Sequence, residues 1–216
     1  MIRTRALRFA YPSGATLSFH DLDAPQGAIV LLRGNSGAGK STWLALAAGL
    51  LTATSGEVVV AQQSLSALSR SARDAWRGRT VGFLPQKLHL SGALTVERNL
   101  QLPFFATGLP VDRPAVNRSL DTLGLAGLAD RFPSQLSVGQ AQRVALARAT
   151  LMQPKVILAD EPTASLDDEA AAASLALLAD TARHCGATLV IATHDRRVPD
   201  ALPGAIVHSL GPGASS

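Results

Sequence analysis

The 216-residue sequence has little cysteine, few aromatic residues and no long apolar run. A single cysteine, Cys185, excludes an internal disulfide and is typical of a reducing compartment. Aromatic residues make up 4% of the chain and do not alternate with basic ones, so we expect no direct contact with nucleic acid despite a net charge of +4. The chain shows neither the roughly 18–20 apolar residues of a membrane helix nor the apolar core of a signal peptide. These absences predict a cytoplasmic protein without a membrane span of its own.

The composition is that of a folded protein. Hydrophobic residues account for 47% of the chain and charged residues for 17%, which excludes a largely disordered protein. The length suits one α/β domain carrying a small subdomain. We predict a single domain over residues 1–210 and a disordered tail at 211–216.

The most informative stretch reads GNSGAGKST. It follows an apolar run at 28–32 and precedes a helix-like segment at 43–48, which is the strand–loop–helix context of a phosphate-binding P-loop. Backbone N–H groups and the positive end of the helix dipole attract polyphosphate there. Lys40 is expected to reach the β- and γ-phosphates, and Ser41 to ligate Mg²⁺. The predicted nucleotide contacts are Gly34, Asn35, Ser36, Gly37, Ala38, Gly39, Lys40, Ser41 and Thr42.

Three further predicted strands end in polar side chains. Gln86 follows one of them, the pair Asp160–Glu161 the second, and His194 the third. Ligands of open parallel sheets lie beyond the carboxyl ends of the strands, so we expect these side chains to converge on the phosphate. Asp160 and Gln86 are predicted to hold Mg²⁺, and Glu161 to orient or deprotonate the attacking water. His194 is predicted to donate to the γ-phosphate.

The remaining patterns organise the chain around this centre. Residues 2–9 and 16–19 predict antiparallel strands joined by a turn. Tyr11, just before the turn, is either a stacking platform for a flat ligand or a packed turn aromatic. Residues 87–153 lack alternating strands and helices, which indicates a helical insertion between the two parts of an α/β core at 1–86 and 154–210.

Together these motifs resemble the nucleotide-binding subunits of ABC transporters. The P-loop, Gln86, LSVGQ at 136–140, Asp160–Glu161, SLD at 165–167 and His194 stand in that family's order. The resemblance implies the ABC ATPase fold: a P-loop NTPase core with a mixed or parallel sheet, N-terminal antiparallel strands and an inserted helical subdomain. It also implies that Tyr11 stacks on adenine and that Glu161 is the catalytic base. Residues implied to contact the ATP held by another subunit are Ser137, Gly139, Gln140 and Asp167.

Some segments resemble one subgroup of the family, and two positions differ from the family's usual pattern. SGE at 55–57, VGFLPQ at 81–86 and LTVERNL at 94–100 resemble the lipoprotein-release and macrolide-export subgroup. Val138 replaces the usual glycine of the signature, and because β-branched residues are poorly tolerated at positive φ, either this position has ordinary φ or the loop is altered. No glycine lies between Ala61 and Ser64, where the family often has a turn glycine.

The resemblance implies an ATP-binding and ATP-hydrolysing subunit with ATP and Mg²⁺ as its ligands. It would bind a second cassette, most simply another copy of itself, and would energise separately encoded transmembrane permease subunits from the cytoplasmic face of the membrane. Two alternatives stay open. One is a soluble non-transport ABC ATPase acting on nucleic acid or ribosomes, and the other is a non-hydrolysing regulatory cassette, for which Val138 is the only support.

Overall fold

The computed structural model describes residues 1–164 and 166–210. Ser165, within the predicted SLD motif, and the tail predicted to be disordered at 211–216 lie outside the described residues. The strands are β1 Ile2–Ala10, β2 Thr16–Ser18, β3 Leu22–Ala24, β4 Ile29–Arg33, β5 Ser55–Val60, β6 Gln63–Ser64, β7 Val81–Leu84, β8 Val156–Asp160, β9 Thr188–Thr193 and β10 Ile206–Ser209. The α-helices are α1 Lys40–Ala47, α2 Arg70–Thr80, α3 Val96–Thr107, α4 Arg113–Thr122, α5 Val138–Thr150, α6 Asp168–His184 and α7 Arg197–Ala201.

Two sheets form the framework. The first is parallel throughout, in the order β10-β4-β9-β8-β7. The second is antiparallel, in the order β2-β1-β5-β6, with β3 also paired to β1. The predicted combination of a parallel sheet, N-terminal antiparallel strands and inserted helices is confirmed.

The three central strands of the parallel sheet, β4, β9 and β8, are buried on both faces. Along β8, Val156 and Leu158 belong to one hydrophobic cluster, which also includes α1 and the antiparallel strands. Ile157 and Ala159 belong to the other, which includes side chains of α3 to α6. This explains why β8 reads as a continuous apolar run, since a strand covered on both faces has no polar side to alternate with.

The helices α3, α4 and α5 lie between β7 and β8 in the chain. Their buried side chains include Val96 and Leu100 of α3, Val116 of α4 and Val144 of α5, all in the cluster on one face of the sheet. The three helices therefore pack on one another through apolar side chains, and these side chains belong to the same cluster as one face of the parallel sheet. Among the residues the structure describes, none of the helices is both long and apolar enough to cross a bilayer.

One hairpin turn takes a conformation that its residues resist. Val60 pairs with Gln63, so Ala61 and Gln62 alone connect β5 to β6. Their φ angles are 50° and 68°, the left-handed pair that two-residue hairpins use and that favours glycine or asparagine. The missing turn glycine noted in the sequence is thus a real departure, and the turn keeps its shape with two residues that carry a Cβ.

The strand register brings the predicted site together. Leu84 pairs with Ala159, Asp160 with Ala192, and Arg33 with Thr193, so the carboxyl ends of β4, β7, β8 and β9 lie at one edge of the sheet. The P-loop follows β4 directly, and the polar residues predicted at the other strand ends follow the same edge.

Candidate nucleotide site

The loop between β4 and α1 is shaped by two glycines. Gly37 and Gly39 have φ angles of 81° and 88°, and Gly39 caps the N-terminus of α1. The positive φ at Gly39 favours glycine, and a Cβ there would lie 2.7 Å from Cδ1 of Leu17 and force that side chain to shift. The first N–H groups of α1 have no side-chain cap and remain available to an anion.

Lys40 occupies the centre of this loop. Its side chain is 9% exposed, and its ammonium Nζ donates to the carbonyl oxygens of Gly34 at 2.9 Å and Asn35 at 3.4 Å. The same Nζ lies 3.6 Å from Oε1 of Glu161. A buried cation is therefore held where the loop encloses it, with one carboxylate opposite.

One carboxylate oxygen of Asp160 accepts no hydrogen bond from the described residues. This oxygen, Oδ1, is buried. Burial raises the pKa of Asp160, a hydrogen bond with Ser41 opposes the rise, the neighbouring Glu161 adds to it and Lys40 lowers it again. An unpartnered carboxylate oxygen beside a hydroxyl is a donor set that suits a hard divalent cation such as Mg²⁺.

Glu161 and His194 form a direct pair. Nδ1 of His194 lies 2.7 Å from Oε1 of Glu161, and the backbone N–H of His194 donates to Oε2 at 3.3 Å. The Glu161 side chain is 10% exposed, whereas that of His194 is 71% exposed. Glu161 also has a φ of 49°, unusual for a residue with a Cβ, and its N–H donates to the carbonyl of Ala192 at 2.8 Å. Strand β9 thus holds the backbone of Glu161, and His194, the residue after β9, holds its carboxylate.

Gln86 and two of the predicted signature residues, Ser137 and Gly139, line a cleft that adjoins the site at Glu161. This cleft of about 1090 Å³ runs between α5, α6 and the end of β7, and Gln86, Ser137, Gly139, Glu161 and Asp167 lie on its wall. Among the described residues that line it, none belongs to the P-loop at 34–42. The structure therefore brings Lys40, Ser41, Asp160, Glu161 and His194 together and leaves the signature away from the P-loop of the same chain.

The signature forms the exposed start of α5. Ser137 caps the helix: its Oγ accepts the N–H of Gln140 at 3.2 Å, and Oε1 of Gln140 accepts the N–H of Ser137 at 2.9 Å. Val138 is the first helical residue, with a side chain 63% exposed, and a Cβ at Gly139 would meet open space. Of the two readings of Val138, ordinary φ is the one observed, because helical geometry needs no positive φ.

Tyr11 lies over the first turn of α1. Its hydroxyl hydrogen-bonds Oγ1 of Thr42, and its ring stands edge-on to Phe9 with centroids 4.9 Å apart. The residue is 36% exposed. Tyr11 is thus partly packed and partly exposed beside the P-loop helix.

One polar cluster was missed in the sequence. Asp195 follows His194 and binds the side chains of Thr163 and Arg197, and Arg197 in turn binds Asp168. The hydrogen bonds from Arg197 are the main reason why the pKa of Asp195 lies well below its usual value. The only sequence signal was an acid and a base two positions apart after a strand, which is too common to indicate a cluster.

Comparison with known proteins identifies the family. A family model described as ABC transporter matches residues 17–164. The lipoprotein-releasing system ATP-binding protein LolD of Xanthomonas campestris is 41% identical over 178 residues, 82% of this chain and 74% of that protein. The methionine import ATP-binding protein MetN 1 of Burkholderia orbicola is 40% identical over 201 residues, 91% of this chain and 58% of that protein.

A solved structure agrees with the sequence relatives. The ATP-binding cassette MJ0796, in a dimeric post-hydrolysis state with ADP and Pi, superposes with a TM-score of 0.85 at 31% identity, covering 99% of this chain and 95% of that one. The resemblance read from the motifs is confirmed, and the chain belongs to the ABC transporter family as one of its ATP-binding cassettes.

Proposed function

We propose that this chain hydrolyses ATP at a site completed by a second cassette, and so drives transport by separate membrane subunits. The meeting of Lys40, Glu161 and His194 at the end of the P-loop strand carries the proposal. One buried cation faces one buried carboxylate there, and the carboxylate is already bonded to an imidazole. This arrangement suits phosphate binding at Lys40 and proton transfer at Glu161.

Each residue then has a defined task. Lys40 exchanges its carbonyl partners for the β- and γ-phosphates, because a charge-assisted bond to phosphate is the stronger one. Glu161 accepts a hydrogen bond from the attacking water and takes its proton, while His194 orients Glu161 and donates to the γ-phosphate. Tyr11 stacks on the adenine from its place above Thr42.

We further propose that Asp160, Ser41 and Gln86 hold Mg²⁺. The unpartnered Oδ1 of Asp160 supports this assignment, since a bound cation removes the cost of burying that oxygen alone. The ion would neutralise charge developing on the phosphate oxygens. Ser41 lies in the first turn of α1, Asp160 ends β8, and Gln86 follows β7, which is paired with β8.

The separation of P-loop and signature supports a two-chain site. Ser137, Gly139 and Gln140 lie at the exposed start of α5, and no P-loop residue lines the cleft that Ser137 and Gly139 share with Asp167. We propose that they contact ATP held by the P-loop of a second copy, related by a closed head-to-tail arrangement. The structure of MJ0796, which matches 99% of this chain, is dimeric.

The transport role is favoured over the two alternatives. LolD and MetN are by name ATP-binding proteins of a release system and an import system, which favours a transporter subunit over an ATPase acting on ribosomes or nucleic acid. The paired Glu161 and His194 favour hydrolysis over a purely regulatory cassette. We place the chain with the lipoprotein-release subgroup on the segments at 55–57, 81–86 and 94–100, and on the cytoplasmic face of the membrane.

The test is the Mg²⁺-dependent ATPase rate per chain, measured across a range of protein concentrations. A composite site predicts that the rate per chain rises with concentration, and a rate independent of concentration would contradict it. Lys40→Ala should lose nucleotide affinity, whereas Lys155→Ala, an exposed lysine at the opposite end of β8, should bind ATP normally. Normal ATP binding by Lys40→Ala would overturn the P-loop assignment.

A further inference from the structure

Arg197 is the hub of the polar cluster that follows His194. Its Nε lies 3.0 Å from each carboxylate oxygen of Asp195, and its Nη2 lies 2.7 Å from Oδ2. The backbone N–H of Arg197 also donates to Oδ1 at 2.9 Å. Asp195 is mostly buried, so this arginine–carboxylate pair is a rigid connection rather than a loose surface contact.

The free edge of the guanidinium reaches the segment that carries Asp167. Nη1 donates to the carbonyl of Leu166 at 3.3 Å and lies 2.6 Å from Oδ1 of Asp168. Arg197 therefore holds the residues on both sides of Asp167. The side chain of Asp167 itself caps α6 by accepting the N–H of Ala170 at 2.8 Å.

A second contact ties the same cluster to the catalytic base. Oγ1 of Thr163 donates to Oδ2 of Asp195 at 2.7 Å, and Thr163 is 1% exposed. Thr163 lies two residues after Glu161, whose own side chain bonds His194. One rigid cluster thus joins the end of β9, the residues following β8, and the start of α6.

We propose that Arg197 is a positioning residue: it fixes the Asp167 segment to the strand end that carries His194. The inference rests on the two-chain site proposed above. Contact of Asp167 with a second chain and the geometry of the Glu161–His194 pair are then set by the same side chain. Without it, the Asp167 segment loses its connection to Asp195, and formation of the composite site is no longer coupled to the base.

A merely structural role would look different. Arg197 also begins α7, which packs on α6, so its loss could simply loosen that short helix. That loosening would lower the thermal midpoint and leave turnover by the folded protein unchanged. A positioning role lowers kcat while the KM for ATP stays within about twofold, because the P-loop that binds ATP is untouched.

The experiment compares Arg197→Ala with Arg196→Ala, which removes the same charge from an exposed neighbour. Displacement of positioning groups costs up to about a hundredfold in rate, so we expect kcat of Arg197→Ala to fall between about ten- and a hundredfold. Arg196→Ala should keep the wild-type kcat. In a Glu161→Gln background, Arg197→Ala should also weaken ATP-dependent dimerisation measured by analytical ultracentrifugation.

Two further variants keep the inference testable if Arg197→Ala fails to fold. Arg197→Lys retains the charge but cannot span Asp195 and Leu166 together, and Asp168→Asn removes a single exposed contact. Both variants should lower kcat, by a smaller factor than Arg197→Ala does. Wild-type kcat and dimer affinity in the folded Arg197 variants would overturn the inference. If Glu161→Gln alone forms no ATP-dependent dimer, the proposed two-chain site fails first, and the inference fails with it.

Discussion

Replacing Glu161 with glutamine should separate ATP binding from ATP hydrolysis. The amide keeps the size of the carboxylate, so the fold and the P-loop should be retained, but it cannot accept the proton of the attacking water. General-base help is typically a factor of about 10²–10⁴ in rate. At about 1.4 kcal/mol per factor of ten, the variant should lose about 3–5.5 kcal/mol of transition-state stabilisation.

The surroundings of Glu161 sharpen this expectation. Lys40, 3.6 Å from the carboxylate, loses a competing partner for its charge, so ATP affinity should be unchanged or higher. The variant should therefore accumulate an ATP-bound dimer, measured by size-exclusion chromatography with and without ATP, while turnover falls at least a hundredfold. Glu169→Gln, an exposed glutamate in the first turn of α6, is the matched control and should turn over normally. Unchanged turnover in Glu161→Gln would refute the role assigned to this residue.

Three other substitutions test features that the structure made visible. Gln62→Gly should stabilise the protein by about 0.5–1 kcal/mol, or about 2 °C in Tm, because it removes the cost of a left-handed residue; Gln62→Ala should give no gain. Burial raises the pKa of Asp160, so its ionised form destabilises the fold above its unfolded-state pKa, and this cost fades as pH falls through the raised folded-state pKa. Without Mg²⁺, Asp160→Asn should therefore melt higher than wild type at neutral pH, with the difference shrinking in acid; an equal or lower Tm at neutral pH would contradict the assignment. Val138→Gly should raise ATP turnover, since the valine adds bulk to an exposed helix start proposed to face the ATP of a second chain, and a lower turnover would count against that placement.

Much of the framework was predictable because its signals are local. The apolar run before Asp160 and the glycine pattern of the P-loop each act within a few residues, and both were placed correctly on a strand and on a strand–loop–helix turn. The short elements β3, β6 and α7 were not predicted. They span two to five residues, too few for a hydrophobic period to stand out.

At the candidate site, too, some contacts could be predicted from the sequence and others could not. The convergence of Asp160, Glu161 and His194 could be predicted because the ends of parallel strands share an edge. The contact between Arg197 and Asp168 could not, since the two residues are 29 positions apart and neither belongs to a strand-end pattern. At Val138 the sequence left two possibilities open, ordinary φ or an altered loop, and the structure decides for ordinary φ because Val138 is the first residue of α5.

Glu161 shows that the residue type of the proposed base and its position in the site are determined by different parts of the chain. Its φ of 49° is costly for a residue with a Cβ, on the order of 1–3 kcal/mol. Contacts with β9 and the residue after it hold Glu161 in this conformation. Its N–H donates to the carbonyl of Ala192, and its carboxylate hydrogen-bonds His194, two residues after Ala192. In this conformation Oε1 of Glu161 lies 3.6 Å from Nζ of Lys40. The proposed base is therefore specified by its own residue type, and its position is specified by the neighbouring strand.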